Sequence, residues 1–62
     1  MFPDFTDKAA VIAYAKSMSK KHPKFVQYVV KSPGRDNYNI TMQRERAIRE
    51  GAEIVWSSNQ QN

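Results

Sequence analysis

The chain has 62 residues, a net charge of +4 and no cysteine. A chain of this length forms one domain, and the lack of cysteine excludes disulfide bonds and thiolate metal sites. Because so short a chain buries only about 60% of the surface that it exposes when unfolded, it needs an efficient core or a partner, and a homodimer is one hypothesis.

The sequence contains no membrane or secretory signal. No apolar run approaches the ~20 residues that a membrane-spanning helix requires. The first residues lack the basic segment and apolar stretch of a signal peptide. We therefore expect a cytoplasmic protein that does not bind membranes.

The first predicted element is a long helix that ends at Lys21. Asp4 and Thr6 are both suitable N-caps, because a short side-chain oxygen can accept hydrogen bonds from the free amides of the first turn. Frequent alanines favour the helix, and Pro23 ends it because proline disfavours the helical conformation of the preceding residue. Helical spacing predicts an apolar face that consists of Ala10, Val11, Tyr14, Ala15 and Met18.

A β-hairpin is predicted for residues 25–42. Two runs rich in β-branched and aromatic residues flank Pro33 and Gly34, which suit the second and third positions of a type II turn. Alternation predicts that the first helix covers one apolar side of the hairpin, formed by Val26, Tyr28, Val30, Tyr38, Ile40 and Met42. The opposite side is polar except for Phe25 and Val29.

Residues 43–50 are predicted to form a short second helix. Strong helix formers lead directly into Gly51, a residue type that commonly follows the end of a helix. One-turn spacing predicts two ion pairs, Glu45 with Arg49 and Arg46 with Glu50. The alternative interpretation continues the second strand by alternation through this segment.

Residues 52–57 are predicted to form a third strand, with Ile54 and Trp56 on one face and Val55 on the other. The predicted class is therefore α+β, with the order α-β-β-α-β and a three-stranded, mainly antiparallel sheet that has one long helix on one face. The connection before the third strand has about nine residues, slightly fewer than the ~10–12 of a parallel crossover, so the order of this strand remains open. The domain spans residues 1–57, and residues 58–62 are predicted to be a disordered polar tail.

The residue types do not favour catalysis. His22 is the only histidine, and it follows the first helix without the partners that a general base requires. Two glycines cannot form a glycine-rich phosphate loop, and one histidine without cysteine leaves only carboxylates as metal ligands. We predict that the protein is not an enzyme and uses no cofactor or metal.

Positive charge is concentrated in the first half of the chain. All six lysines lie within residues 1–31, whereas the four arginines of residues 32–62 are balanced by four acidic residues. Such a surface neutralises phosphates without base-specific geometry, although +4 is also ordinary for a small domain. The sequence predicts a nucleic-acid-binding patch that consists of Lys16, Lys20, Lys21, Lys24, Lys31 and Arg35.

Binding to a protein is the alternative prediction. Aromatic residues left on an uncovered sheet face would mark an interface, because they concentrate at binding hot spots. Arginines on the second helix could contact an acidic protein surface. The residues of this alternative site are Phe25, Val29, Trp56, Arg44, Arg46 and Arg49.

Residues 13–34 contain the runs Ala13-Tyr14-Ala15-Lys16, Lys24-Phe25-Val26-Gln27-Tyr28-Val29-Val30 and Ser32-Pro33-Gly34. They resemble the beginning of a double-stranded-RNA-binding domain, which also has the order helix, strand, strand. The resemblance covers about half of the chain and implies RNA binding. In that family a basic, alanine-rich helix follows the third strand, whereas only residues 58–62 follow it here, so the RNA-contact residues of the family are not transferred.

The length of the chain is also similar to that of small phage or plasmid accessory proteins. Many of these bind and block a host protein. This analogy of size implies an inhibitor or adaptor in the host cytoplasm.

Overall fold

The structure is a computed structural model that describes residues 2–60, and it confirms the predicted α-β-β-α-β order. Two helices, three strands and a final 3-10 turn follow one another as α1 (Lys8–Lys21), β1 (Tyr28–Lys31), β2 (Tyr38–Thr41), α2 (Arg44–Arg49), β3 (Glu53–Ser57) and the turn (Ser58–Gln60). The predicted polar tail thus begins with this turn, and its residues 61 and 62 lie outside the described part of the chain.

The three strands form an open sheet in the order β2-β1-β3, and both pairings with β1 are antiparallel. The central strand is therefore β1, and β2 and β3 are the edges. Since β2 and β3 run parallel to each other on either side of β1, α2 connects them across the central strand. The position of β3, which the sequence left open, is therefore the edge next to β1 and opposite β2.

The buried core lies between α1 and the sheet. Val11 and Ala15 of α1 and Val29 of β1 are fully buried and form its centre. Partly buried apolar residues surround this cluster, namely Phe5, Ile12, Tyr38, Ile40, Val55 and Trp56. The helix thus covers one face of the sheet with the Val11 and Ala15 side of its surface.

The predicted faces of β1 were wrong. Val29 was assigned to the uncovered side, but it pairs with Ile40 and packs against α1. Val30 points to the other face, where it is buried and lines a concavity with Ala47 of α2. Helices therefore cover both faces of the central strand. Periodicity could not orient two adjacent valines, because both faces of such a strand are apolar.

A β-bulge determines the orientation of the third strand. Val29 lies opposite Trp56, but Val30 lies opposite Ile54, which leaves Val55 as the extra residue of β3. Such an insertion interrupts strict alternation and increases the local twist. Both Val55 and Trp56 consequently pack against the buried core, although alternation had placed them on opposite faces.

The first helix begins at Lys8, which is later than either predicted N-cap, Asp4 or Thr6, implied. Its N-cap is Asp7, whose carboxylate accepts hydrogen bonds from the amides of Ala9 and Ala10 at 3.1 and 3.3 Å. Asp4 instead accepts hydrogen bonds from the hydroxyl of Thr6 at 2.6 Å and from its amide at 3.0 Å. These two bonds, the hydroxyl foremost, lower the pKa of Asp4.

The second helix ends as predicted at a glycine. Gly51 has a φ of 83°, and the amides of Gly51 and Ala52 donate to the carbonyls of Ile48 and Ala47 at 3.0 and 2.9 Å. This pair of bonds is the Schellman motif, which satisfies carbonyl groups at the end of a helix. Of the two predicted ion pairs, only Arg46–Glu50 forms within residues 2–60, at 3.4 Å.

Candidate nucleic-acid interface

An open concavity of about 380 Å³ lies between α1 and the edge strand β3. Its lining consists of Lys16, Ser19 and Lys20 from the helix and Trp56 from the strand. It combines two cations, a hydroxyl group and an aromatic ring. From the sequence alone, Lys16 and Lys20 were predicted to bind nucleic acid, Trp56 was predicted to bind a protein, and Ser19 was not assigned to a site.

The helical contribution follows from the spacing of the sequence. Lys16 and Lys20 are one turn apart, so they lie on the same side of α1, with Ser19 beside them. The neighbouring Ala15 is buried in the core, which orients the helix and leaves both lysines exposed. Packing of the apolar face therefore positions the two cations beside β3.

The aromatic contribution depends on the β-bulge. Because Val55 is the extra residue, Trp56 lies opposite Val29 and on the α1 side of the sheet. Trp56 is partly buried: it packs against the core and also lines the concavity. The sequence did not indicate that Trp56 lies beside α1, because strict alternation does not predict a bulge.

Among residues 2–60, neither lysine of the concavity forms an ion pair with a carboxylate. Within the part of the chain that the structure describes, Arg46–Glu50 of α2 is the only ion pair. Lys21 and Lys24 are also exposed, the first as the last residue of α1 and the second in the loop that follows. These four residues, Lys16, Lys20, Lys21 and Lys24, form the "lysine end" of the molecule.

The other two residues of the predicted patch lie at the opposite end of α1. Lys31 is partly buried and pairs with Tyr38, whose amide donates to the carbonyl of Phe5 just before α1 begins. Arg35 is exposed in the hairpin loop beyond Lys31. A helix of this length extends over roughly 20 Å, so these two cations are not part of the lysine end.

The residues of the alternative protein-binding site do not form one surface. Val29 is fully buried, so its assignment to an uncovered face was wrong and it offers no contact to a partner. Phe25 is 56% exposed in the loop before β1, and Trp56 lines the lysine concavity. The three arginines of this site, Arg44, Arg46 and Arg49, are exposed on α2, which lies on the other side of the sheet.

A more apolar concavity, also of about 380 Å³, lies where the N-terminal arm meets α1 and β2. Phe2 and Tyr14 are neighbours there, with ring centroids 6.5 Å apart, and Met42 contributes a largely exposed side chain. None of the residues that line this concavity belongs to a site predicted from the sequence. Its residues carry no charge, so it does not extend the lysine end.

Among residues 2–60, no three side chains of histidine, cysteine, aspartate or glutamate come together as a metal-binding group. Neither helix in this range has the length and apolar character needed to cross a bilayer.

Comparison of the chain with protein-family models, with curated proteins and with solved structures found no match. The comparisons therefore add nothing to the resemblance that residues 13–34 carry.

Proposed function

We propose that the protein is a non-catalytic, cytoplasmic nucleic-acid-binding protein that contacts phosphates through its lysine end. The observation that carries this proposal is the exposure of four lysines at one end of α1 without a carboxylate partner among residues 2–60. Exposed cations of this kind bind the phosphate backbone and release its counterions, which requires no base-specific geometry.

The position of two of the lysines is compatible with a stable helix. Lys20 and Lys21 are in the last turn of α1, where the carbonyl ends of the helix make the local potential negative. This potential offsets the repulsion between the two cations. Lys31 and Arg35 lie toward the other end of α1, so the proposal does not include them in the lysine end.

Binding to a host protein stays the alternative. It would use the exposed Phe25 or the arginines of α2, because Val29 is buried. The two functions differ in their dependence on salt and in the residues that matter. A stable homodimer is a third outcome, which analytical ultracentrifugation would detect.

The test is fluorescence anisotropy with labelled oligonucleotides over a range of KCl concentrations. If all four lysines contact phosphates, the slope of log K against log salt is about −3 for a single strand and about −3.6 for a duplex. Replacing one lysine with glutamate should make the slope shallower by nearly one unit and weaken binding. We expect this result for both Lys16→Glu and Lys20→Glu.

Lys8→Glu is the matched control. It makes the same change of charge on an exposed residue of the same helix, about 12 Å along the axis from Lys16. A glutamate in the first turn also suits the helix dipole, so the fold is not weakened. Binding that does not depend on salt, or that Lys8→Glu weakens as much as Lys20→Glu does, would contradict the proposal.

A further inference from the structure

The proposed function leaves open whether the ligand is a duplex or a single strand, and the position of Trp56 bears on this question. Phosphate contacts alone need only lysines. Trp56 adds a partly exposed aromatic side chain to the concavity in which Lys16 and Lys20 lie. An aromatic ring at this position favours a nucleic acid whose base faces are exposed.

We infer that the ligand is single-stranded nucleic acid, and that one of its bases stacks on Trp56 while Lys16 and Lys20 contact the adjacent phosphates. This inference rests on the proposed function and specifies its ligand. The bases of a duplex are stacked on one another and paired, so their faces are not available to a protein ring. A single strand exposes those faces, and aromatic side chains bind them irrespective of sequence.

The surroundings of Trp56 hold the ring in place. It packs against the core and lies opposite Val29, which is fully buried. Two hydrogen bonds tie Gln27 to Ser58 just beyond β3. The amide of Ser58 donates to the backbone carbonyl of Gln27 at 2.9 Å, and the amide of Gln27 donates to the side-chain hydroxyl of Ser58 at 3.0 Å. A ring fixed in this way loses little conformational freedom when a base binds.

The concavity has the size and lining that one nucleotide requires. Its volume of about 380 Å³ is in the range of small-ligand sites, and it is open, so a strand can continue beyond the bound base. Lys16 and Lys20 supply positive charge on the helical side. Ser19 supplies a hydroxyl group that can donate to or accept from a base or sugar.

Intrinsic fluorescence provides a direct test, because Trp56 is the only tryptophan of the chain. We would titrate the full chain with oligothymidylate, with a duplex of equal length and with thymidine monophosphate. The expected result is saturable quenching by oligothymidylate and little quenching by the duplex. The mononucleotide should bind much more weakly, because it offers a single phosphate to the lysine end.

A variant supplies the second measurement. Trp56→Leu keeps an apolar side chain against the core but removes the ring, and it should weaken oligothymidylate binding about 5- to 150-fold at constant salt. Its affinity for the duplex should change little. Circular dichroism verifies the fold, and if this variant unfolds, the quenching of the unmodified protein still decides the question.

The two proposals fail in different ways. One outcome would overturn base stacking but keep the proposed function. In that outcome, binding is sensitive to salt and weakened by Lys20→Glu, but it is equally tight for duplex and single strand and leaves the fluorescence of Trp56 unchanged. Equal affinity for thymidine monophosphate and oligothymidylate would contradict the inference that the ligand is a polymer. The absence of salt-sensitive binding to any of these probes would overturn both proposals.

Discussion

Substitution of Val29 with alanine tests the arrangement that places Trp56 beside the lysines. Val29 is fully buried between α1 and the sheet and lies opposite Trp56. The change removes two methylene equivalents, which are worth about 0.8 kcal/mol each when buried. Incomplete closure of the resulting cavity adds to this loss, so we expect the free energy of unfolding to fall by about 2–3 kcal/mol.

This loss is large for so small a domain. A 62-residue chain is expected to have a free energy of unfolding of roughly 3–9 kcal/mol. Because each kcal/mol corresponds to about 4–8 °C in a domain of this size, Val29→Ala should lower Tm by roughly 10–20 °C. Thermal and urea unfolding followed by circular dichroism would measure both quantities.

Phe25→Ala is the matched control, because the sequence had assigned Phe25 and Val29 to the same uncovered side of the hairpin. Phe25 is 56% exposed, so its truncation should cost less than about 1 kcal/mol despite the larger side chain. Equal stability of the two variants, or a greater loss for Phe25→Ala, would refute the assignment of Val29 to the core. It would also remove the support that Val29 gives to the position of Trp56.

Two further predictions concern the end of α2 and the turn that precedes α1. Gly51→Ala should lower the free energy of unfolding by about 1–2 kcal/mol, because a φ of 83° is unfavourable for alanine. The added Cβ would lie 3.7 Å from Pro33, which is an ordinary contact, so no steric clash contributes. An unchanged free energy in urea unfolding would contradict this backbone explanation. The pKa of Asp4 in the folded protein is lowered from 3.8, so its ionised carboxylate contributes stability at pH values above 3.8. This contribution is lost as the pH falls through the lower pKa of the folded state. Thr6→Ala removes the hydroxyl donor but keeps the amide donor, so it should return this pKa part of the way toward 3.8 in an NMR titration. An unchanged pKa would show that the hydrogen bond from the Thr6 hydroxyl is not its main cause.

The sequence by itself determined the class and order of the elements. Alanine-rich composition and Pro23 predicted where α1 ends, and the Pro33-Gly34 turn between β-branched runs predicted the hairpin. Gly51 predicted the end of α2. Each of these features depends on residues close together in the chain, so local propensity was sufficient.

The lysine end was also largely predictable, since Lys16, Lys20, Lys21 and Lys24 are close in sequence around the end of one helix. The inclusion of Lys31 and Arg35 in the same patch required knowledge of the direction of β1 relative to α1. No short-range pattern in the sequence predicts the direction of β1 relative to α1. The two cations lie at the other end of α1 because β1 returns along it.

Only the tertiary structure decided which residues share a surface. The choice between Val29 and Val30 depended on which helix covers which face, and the position of Trp56 depended on a bulge that forms when β3 pairs with β1. Both are consequences of packing between segments that are distant in the chain. Local alternation cannot predict them, because an apolar residue fits either face of a strand that is covered on both sides, and one inserted residue reverses the pattern.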